Sequence, residues 1–324
     1  MQKLRPFIVV SDGIDKNSFE ELKNVSDFDV HPVSKISSEE LNLLAPKMNG
    51  LIIRSATKVD AELLKSAAQL KYVIRAGEGT DNIDKTACQQ LGVKVSNTPG
   101  ANSNSVAELA VNLMLAVLRK SARAHCSMVA GLWEKSALEG FELTNKTIGL
   151  LGFGKIAQLV ARRVAGFDPK ILYYDVAPVT MNTTMNTSLP DVSKVSTLEG
   201  LFSQSDIVSI HLPKNEKTKN LVNKDLLSKM KPSAILINTA RGGIVNENDL
   251  YSALIEKKIM GAGLDVYDNE PLVVESPLRK LENLVLMPHL GASTHEAQLR
   301  VGEIAVHQMK EFFLNNKLLN EVRG

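Results

Sequence analysis

Short runs of apolar and β-branched residues alternate along the chain with longer segments whose apolar positions recur at helical spacing. That alternation predicts parallel strands joined by crossover helices, an α/β fold. A first series of strands is expected at Pro6–Val10, Gly50–Ile53, Tyr72–Arg75 and Val93–Ser96. Each runs into turn or polar residues: Ser11-Asp-Gly13, Arg54-Ser55, Ala76-Gly77 and Asn97-Thr-Pro-Gly100. Ligands of open α/β sheets bind beyond the carboxyl ends of the strands, so these four turns should form one functional rim.

A second series begins at Thr147, with strands expected at Thr147–Leu151, Lys170–Tyr174, Ile207–Ile210, Ala234–Ile237, Gly261–Leu264 and Leu284–Leu286. A helix running to about Gly166 lies between the first two. Between the series, Ser105-Val-Ala-Glu108 reads as a capping box opening a helix through about Lys120. That helix is apolar almost all round and must be buried on more than one side; an interdomain core helix and a subunit interface both fit. A last amphipathic helix, about Thr294 to Leu314, should cross back to the first domain, and residues 178–197, rich in Thr, Asn, Met and Ser, read as a surface loop. The division this implies is 1–100 with 293–324 as one domain and 101–292 as the other.

Composition narrows the class without naming a chemistry. At 324 residues, 44% hydrophobic and 23% charged, the chain is expected to be a soluble protein of two domains. A net charge of +2 with no long Lys/Arg run suggests no nucleic-acid or anionic-membrane partner. The longest apolar-rich stretch, Val106 to Leu118, is broken by Glu108 and Asn112 and is too short to span a bilayer. Met1 to Val10 lack the apolar core and cleavage site of a signal peptide. Cys88 and Cys126 are isolated, with no metal spacing, which fits packing thiols in a reducing cytoplasm, and no metal is expected.

The chemistry lies in an ordered set of motifs. Gly152-Phe-Gly-Lys-Ile-Ala157 follows an apolar strand and opens a helix, the context that makes a glycine fingerprint a dinucleotide site. Gly152 allows the tight turn, Gly154 lets the backbone approach a pyrophosphate, and Phe153, Lys155 and Ile156 complete the turn. Asp175 ends the next strand 23 positions after Gly152, where a carboxylate accepts from a ribose 2′-hydroxyl. It would repel a 2′-phosphate, and Val176, Ala177 and Pro178 offer no Arg, so NAD is expected rather than NADP.

Downstream come Arg241 in Asn238-Thr-Ala-Arg-Gly-Gly243, Glu270 before Pro271, and His289 in Pro288-His-Leu-Gly-Ala292. A guanidinium can grip a carboxylate bidentately and polarise a neighbouring oxygen. An imidazole titrates near working pH and can accept and return a hydroxyl proton. A carboxylate on its other ring nitrogen fixes the tautomer and stabilises the imidazolium. Of the other histidines, His31, His125, His295 and His307 read as surface or packing residues. His211, in His211-Leu-Pro213, is expected to shape the cofactor loop.

These residues resemble the D-isomer-specific 2-hydroxyacid dehydrogenases over nearly the whole chain. Leu150-Leu-Gly-Phe-Gly-Lys, His211-Leu-Pro, Asn238-Thr-Ala-Arg-Gly-Gly, Gly263-Leu-Asp-Val and Pro288-His-Leu-Gly-Ala carry the resemblance, together with the order Arg, Glu, His. It implies two doubly wound domains, a Rossmann-like NAD domain and a flavodoxin-like substrate domain built from both termini, with the active site in their cleft. It also implies a homodimer or dimer-based tetramer. Carried over by position, Asp265 would contact the nicotinamide end and Thr239 and Ala240 would line its pocket. Leu212, Pro213, Thr218, Gly291 and Ala292 fall at further cofactor-binding positions.

Within the family, Arg54-Ser-Ala-Thr-Lys-Val59, Arg75-Ala-Gly-Glu-Gly-Thr-Asp-Asn82, Asn97-Thr-Pro and His289-Leu-Gly-Ala-Ser-Thr294 most resemble the branch that oxidises 3-phospho-D-glycerate. The resemblance makes Arg54, Ser55, Arg75, Ala76 and Gly77 substrate-binding, and Lys135 a third cation reaching in from a partner subunit. Solvated surface cations are the plainer reading of the three. Two features depart from that branch. Glu78 puts a carboxylate where it would repel an anion unless it points away, and the short tail leads one to expect no serine-sensing module. A glyoxylate or hydroxypyruvate reductase would need no phosphate ligands, and a dinucleotide-sensing corepressor scaffold would need a peptide groove and a long disordered tail.

Overall fold

A computed structural model describes residues 5–179 and 191–323. The chain divides into two compact units, Met1–Asn102 with Ala292–Gly324, and Ser103–Gly291.

The first unit holds five parallel strands: β1 (Phe7–Val10), β2 (Asp29–Val30), β3 (Gly50–Ile53), β4 (Tyr72–Arg75) and β5 (Lys94–Asn97). Their order is β2-β1-β3-β4-β5, the flavodoxin-like winding. Helices α1 (Lys16–Lys23), α2 (Ser38–Leu44), α3 (Ala61–Ser66) and α4 (Lys85–Gln90) make the crossovers. These helices are short, and each begins where a side chain, of Asp15, Ser37, Asp60 or Asp84, accepts a first-turn amide. Successive strand residues point to opposite faces, and here both faces are covered. Val9, Leu51, Ile53, Val73 and Val95 pack into one core, while Ile8, Val10, Ile52, Tyr72 and Ile74 pack into the other. Burial on both sides is why these strands read as unbroken apolar runs.

In the second unit all seven strands are again parallel: β6 (Thr147–Leu151), β7 (Lys170–Tyr174), β8 (Val192–Lys194), β9 (Ile207–Ile210), β10 (Ile235–Asn238), β11 (Gly261–Leu264) and β12 (Leu284–Leu286). The order β12-β11-β10-β9-β6-β7-β8 is the Rossmann winding extended by one strand, and it reverses between β6 and β9. The helices are α5 (Ser103–Leu118), α6 (Ser121–Val129), α7 (Lys155–Val164), α8 (Leu198–Gln204), α9 (Lys224–Leu227) and α10 (Glu247–Ile255). The chain then re-enters the first unit as α11 (His295–Asn315), capped by Thr294 and packed on α1 and β4. Beyond it, Val322 donates to the Val95 carbonyl at 2.8 Å and Ser96 to that of Leu319 at 2.6 Å. This tail covers the edge of β5.

Several expectations need correction. The helix expected from a Ser105 capping box starts two residues earlier, so Ser105 is a buried residue inside its first turn. Glu108 pairs with Arg163 at 3.3 Å and closes no box. The buried face of α5 packs on α7, β10, β11 and β12 of its own unit. Residues 178–197 are not all loop, since β8 pairs with β7 there, while 180–190 lie outside the described residues, as do Met1 to Leu4. Neither β2 nor α6 was expected, and β5 and β10 sit one residue later than the apolar pattern suggested.

Candidate active site

The glycine turn follows β6 at the point where the strand order reverses. Gly152 has φ +85°, and a Cβ there would lie 2.8 Å from the His211 carbonyl oxygen, so the turn packs directly on the end of β9. Gly154 caps α7 with no side-chain bond, and a Cβ on it would meet nothing within 4 Å. No packing within the protein demands glycine there. What the bare position provides is access for an anion to the first-turn amides of α7, the fit a pyrophosphate requires. Ala157 is fully buried, as close helix–sheet packing needs.

Phe153 is a core residue stacked on Tyr173 at 4.3 Å, so its side chain is not presented to a ligand. Its amide donates to Asp175 Oδ2 at 2.8 Å, and Asp175 Oδ1 accepts from Ala177 at 2.9 Å. The carboxylate therefore braces the glycine turn, and each oxygen keeps a lone pair for a ribose hydroxyl. Lys155 is exposed. Thr218 donates to the Pro213 carbonyl at 2.7 Å and accepts from Asn215 N at 2.9 Å, closing the loop that begins at Leu212. Buried Thr239 follows β10 directly.

Arg241, Glu270 and His289 follow β10, β11 and β12, three neighbouring strands. His289 Nδ1 lies 2.6 Å from Glu270 Oε2, and Glu270 Oε1 accepts from Tyr267 N at 3.0 Å. A carboxylate acceptor at Nδ1 places the ring proton there and leaves Nε2 as the base. Burial pushes Glu270 up, but the bonds from His289 and Tyr267 and the charges of His289 and Arg241 outweigh it and leave the carboxyl below its ordinary range. His289 has φ +55°, a strained backbone for a histidine, held by its surroundings.

That hold is visible. Buried Asp265 accepts from Leu290 N at 2.7 Å and Gly291 N at 2.8 Å, and burial pushes its carboxyl up. The Tyr267 hydroxyl donates to Met287 O at 2.8 Å and lies 3.2 Å from Leu264 O, tying the ends of β11 and β12 together. On the arginine side, the Asn238 side chain accepts from Ala240 N at 3.0 Å and donates to Arg241 O at 3.0 Å. Arg241 Nη1 donates to the Ala240 carbonyl at 2.7 Å. Gly242 then passes so close to the next loop that a Cβ would lie 1.6 Å from Tyr267 O. Asp265 thus carries a bracing role that the resemblance does not assign it. Tyr267 and Asn238 were missed as functional positions, since nothing local in the sequence shows which backbone groups face them.

In the first unit, Arg54 follows β3 and Arg75 ends β4, paired in register with Ile53. Arg54 is half-buried, and among the described residues its guanidinium makes no hydrogen bond or ion pair; burial lowers its pKa and the charge of Asp12 opposes that. Arg75 folds back over its own turn, Nη1 donating to Ala76 O at 3.2 Å, and Gly77 has φ +153° with the guanidinium where a Cβ would be. The amides of Ala76 and Gly77 donate to Ile53 O and Arg75 O, both at 2.8 Å. Glu78 Oε2 accepts from Gly100 N at 2.7 Å, which gives the carboxylate a structural partner. Ser55 and Lys135 are exposed. Ala292 O accepts from Gln298 at 2.6 Å.

Residues 111–291 match the family model described as D-isomer specific 2-hydroxyacid dehydrogenase, NAD binding domain. The chain belongs to that family. It is 43% identical over 295 residues to a hydroxypyruvate reductase of Thermotoga maritima, covering 90% of this chain and 94% of that one. A D-3-phosphoglycerate dehydrogenase of Archaeoglobus fulgidus is 39% identical over 297 residues, covering 92% of this chain but 55% of that one. The chain thus spans about half the length of that relative. The crystal structure of an NADPH-dependent glyoxylate/hydroxypyruvate reductase from Sinorhizobium meliloti in complex with citrate superposes with a TM-score of 0.83 at 28% identity, covering 98% of each chain.

For an NAD-binding 2-hydroxyacid dehydrogenase with two histidines at strand ends, the proton carrier must be separated from the bystander. Burial lowers His211 to about 3, and its Nε2 lies 2.9 Å from Ser209 Oγ, so its ring is neutral wherever the enzyme works. As pH falls below the ordinary 6.5, the unfolded chain takes up a proton there that the folded one refuses until about 3, so stability is lost across that window. His211→Gln should therefore flatten the acid side of a melting-temperature profile. An unchanged slope would mean His211 is not held neutral.

Proposed function

We propose that the protein oxidises 3-phospho-D-glycerate to 3-phosphooxypyruvate, reversibly, as the first step of L-serine biosynthesis in the cytoplasm. The observation that carries the phosphorylated substrate is Arg54. A half-buried guanidinium without a hydrogen-bond partner is costly unless an anion completes it. It lies beyond β3, and the first sheet reverses its order between β1 and β3, where ligands of this winding bind. Arg75 is the second candidate cation and Lys135 the third.

In this reading His289 Nε2 accepts the C2 hydroxyl proton in oxidation and returns it in reduction. Glu270 keeps Nδ1 protonated and offsets the charge that then develops on the ring. Arg241 holds the substrate carboxylate and polarises the C2 oxygen. The glycine turn from Gly152 to Ile156 cradles the pyrophosphate, with Asp175 on the adenosine ribose, where its charge, followed by Val176, Ala177 and Pro178 with no Arg among them, disfavours a 2′-phosphate. His211 to Pro213, Thr218, Thr239, Ala240, Asp265, Gly291 and Ala292 line or support the rest of the dinucleotide. Bound NAD supplies the hydride acceptor.

We also propose a homodimer or dimer-based tetramer. Met128, Val129, Leu132, Trp133 and Phe141 expose apolar surface on and just after α6, in the stretch that carries Lys135.

A second reading, hydroxypyruvate or glyoxylate reduction, is favoured by the Thermotoga relative, which this chain matches over nearly its whole length. The test is NADH formation with 3-phospho-D-glycerate set against NADH consumption with hydroxypyruvate and with glyoxylate. A kcat/KM that favours the phosphorylated acid supports the first reading. Preference for the free ketoacids overturns it in favour of the second.

A further inference from the structure

The loop carrying Arg54 is held in a way that its own sequence does not require. Arg54 to Thr57 is a four-residue turn beyond β3, with Ser55 and Ala56 exposed. It receives side chains from two other places. From beyond β1, Asp12 Oδ2 accepts from Arg54 N at 2.6 Å and from Thr57 N at 3.0 Å, while Oδ1 accepts from the Thr57 hydroxyl at 2.6 Å. The Ser11 and Thr57 hydroxyls lie 2.8 Å apart. From the other direction, Asn82, before α4, donates with its single amide nitrogen to Arg54 O at 2.7 Å and to Thr57 O at 2.6 Å. The backbone amides of Arg54 and Thr57 are thus held by one side chain and their carbonyls by another.

We propose that Asp12 and Asn82 form a clasp that presets Arg54 for a phosphorylated substrate, making Asn82 and Thr57 positioning residues for substrate discrimination. This rests on the reading that Arg54 receives the phosphate. The reasons are physical. An arginine on a free four-residue turn loses backbone and side-chain freedom when it closes on an anion, and that loss weakens binding. Here the backbone part is already fixed before the anion arrives. Asp12 supplies a second element. It carries a charge of the opposite sign beside Arg54, yet its oxygens are occupied by Arg54 N, Thr57 N and the Thr57 hydroxyl, so it fixes the root of the arginine without closing an ion pair with the guanidinium. The guanidinium is left for a ligand. Between β1 and β3 the strand order reverses, so the clasp straddles the crevice expected to hold the ligand.

The experiment compares 3-phospho-D-glycerate with D-glycerate, which differ only in the phosphoryl group, in the full chain and three variants. Arg54→Ala tests the underlying reading and should lower the kcat/KM ratio of phosphorylated to free acid by roughly a hundredfold. Asn82→Ala removes two hydrogen bonds and should lower the ratio roughly tenfold, with the change in KM rather than kcat. Thr57→Val keeps shape and charge while removing the hydroxyl bonds, and should lower the ratio about threefold to fivefold. It keeps the test decisive if Asn82→Ala does not fold. The clasp is overturned if Asn82→Ala and Thr57→Val leave the ratio unchanged while Arg54→Ala lowers it. An equal loss on both acids also overturns it, because that is damage without discrimination. If Arg54→Ala itself leaves the ratio intact, the phosphate reading fails and the clasp fails with it, an outcome distinct from the other two.

Discussion

Replacing His289 by alanine is expected to lower turnover by roughly 10²–10⁴-fold in both directions, with KM for NAD little changed. The loss follows from the position of the ring. Nδ1 is fixed on Glu270 at 2.6 Å, so the other nitrogen is the basic one, and the backbone at φ +55° sets its direction. Glu270→Gln separates charge from geometry. An amide can still accept from the ring, but it no longer offsets the imidazolium. Oxidation needs the unprotonated base, so the rising limb of its pH profile should move to lower pH. Reduction needs the protonated form, so its activity should fall away at lower pH than in the parent enzyme. Glu270 itself, held below its ordinary range, is ionised throughout neutral pH and contributes stability that is lost only as pH falls through its folded value. Steady-state rates from acid to alkaline pH in both directions check this. A profile that does not move in Glu270→Gln, or a His289→Ala enzyme within tenfold of the parent, would remove the pair from the mechanism.

The parallel α/β class and the order of the three strand-end residues were legible because each rests on local pattern, whereas the two windings were implied only by the family resemblance. Strands buried on two faces read as apolar runs, and a charged residue beside Gly or Pro at the end of such a run marks a loop kept open for chemistry. What was not legible depends on partners distant in sequence. Glu78 looked like a repulsive charge in a substrate loop, and its bond from Gly100 N, across the turn after β5, could not be read from the sequence. Asp175 read as a ribose acceptor, and its second task, holding Phe153 N, follows only from the return of β7 beside β6. Ser105 and Glu108 fit a cap by spacing, yet α5 was already under way at Ser103. The strands β2 and β8, of two and three residues, are too short to show any period.

Gly242→Ala is expected to be as damaging as loss of a reacting group, although the residue reacts with nothing. The site depends on two loops meeting. The arginine turn is fixed at one end by Asn238, whose side chain binds Ala240 N and Arg241 O, and at the other it rests on the loop that leads into Glu270. Gly242 makes that contact, and a methyl group there would occupy the position of the Tyr267 carbonyl, at 1.6 Å from O and 2.1 Å from C. Both atoms belong to backbone, so no rotamer change can relieve the overlap; one loop has to move. If the arginine turn moves, the carboxylate grip shifts. If the other loop moves, Tyr267 N leaves Glu270, the tyrosine hydroxyl leaves Met287 O, and His289 loses its setting. A displacement near 1 Å at such a site is worth on the order of 10² in kcat/KM, and the overpacking itself should destabilise the fold by about 1–3 kcal/mol. Gly166→Ala is the matched control, because a Cβ there meets nothing within 4 Å and should change neither quantity. Melting temperature, kcat/KM and NAD affinity measured on both variants decide the matter. A Gly242→Ala enzyme that melts and turns over like the Gly166→Ala control would show that the two loops are not coupled. Full NAD binding with lost turnover would place the damage where the arginine turn meets the loop leading into Glu270, away from the glycine turn.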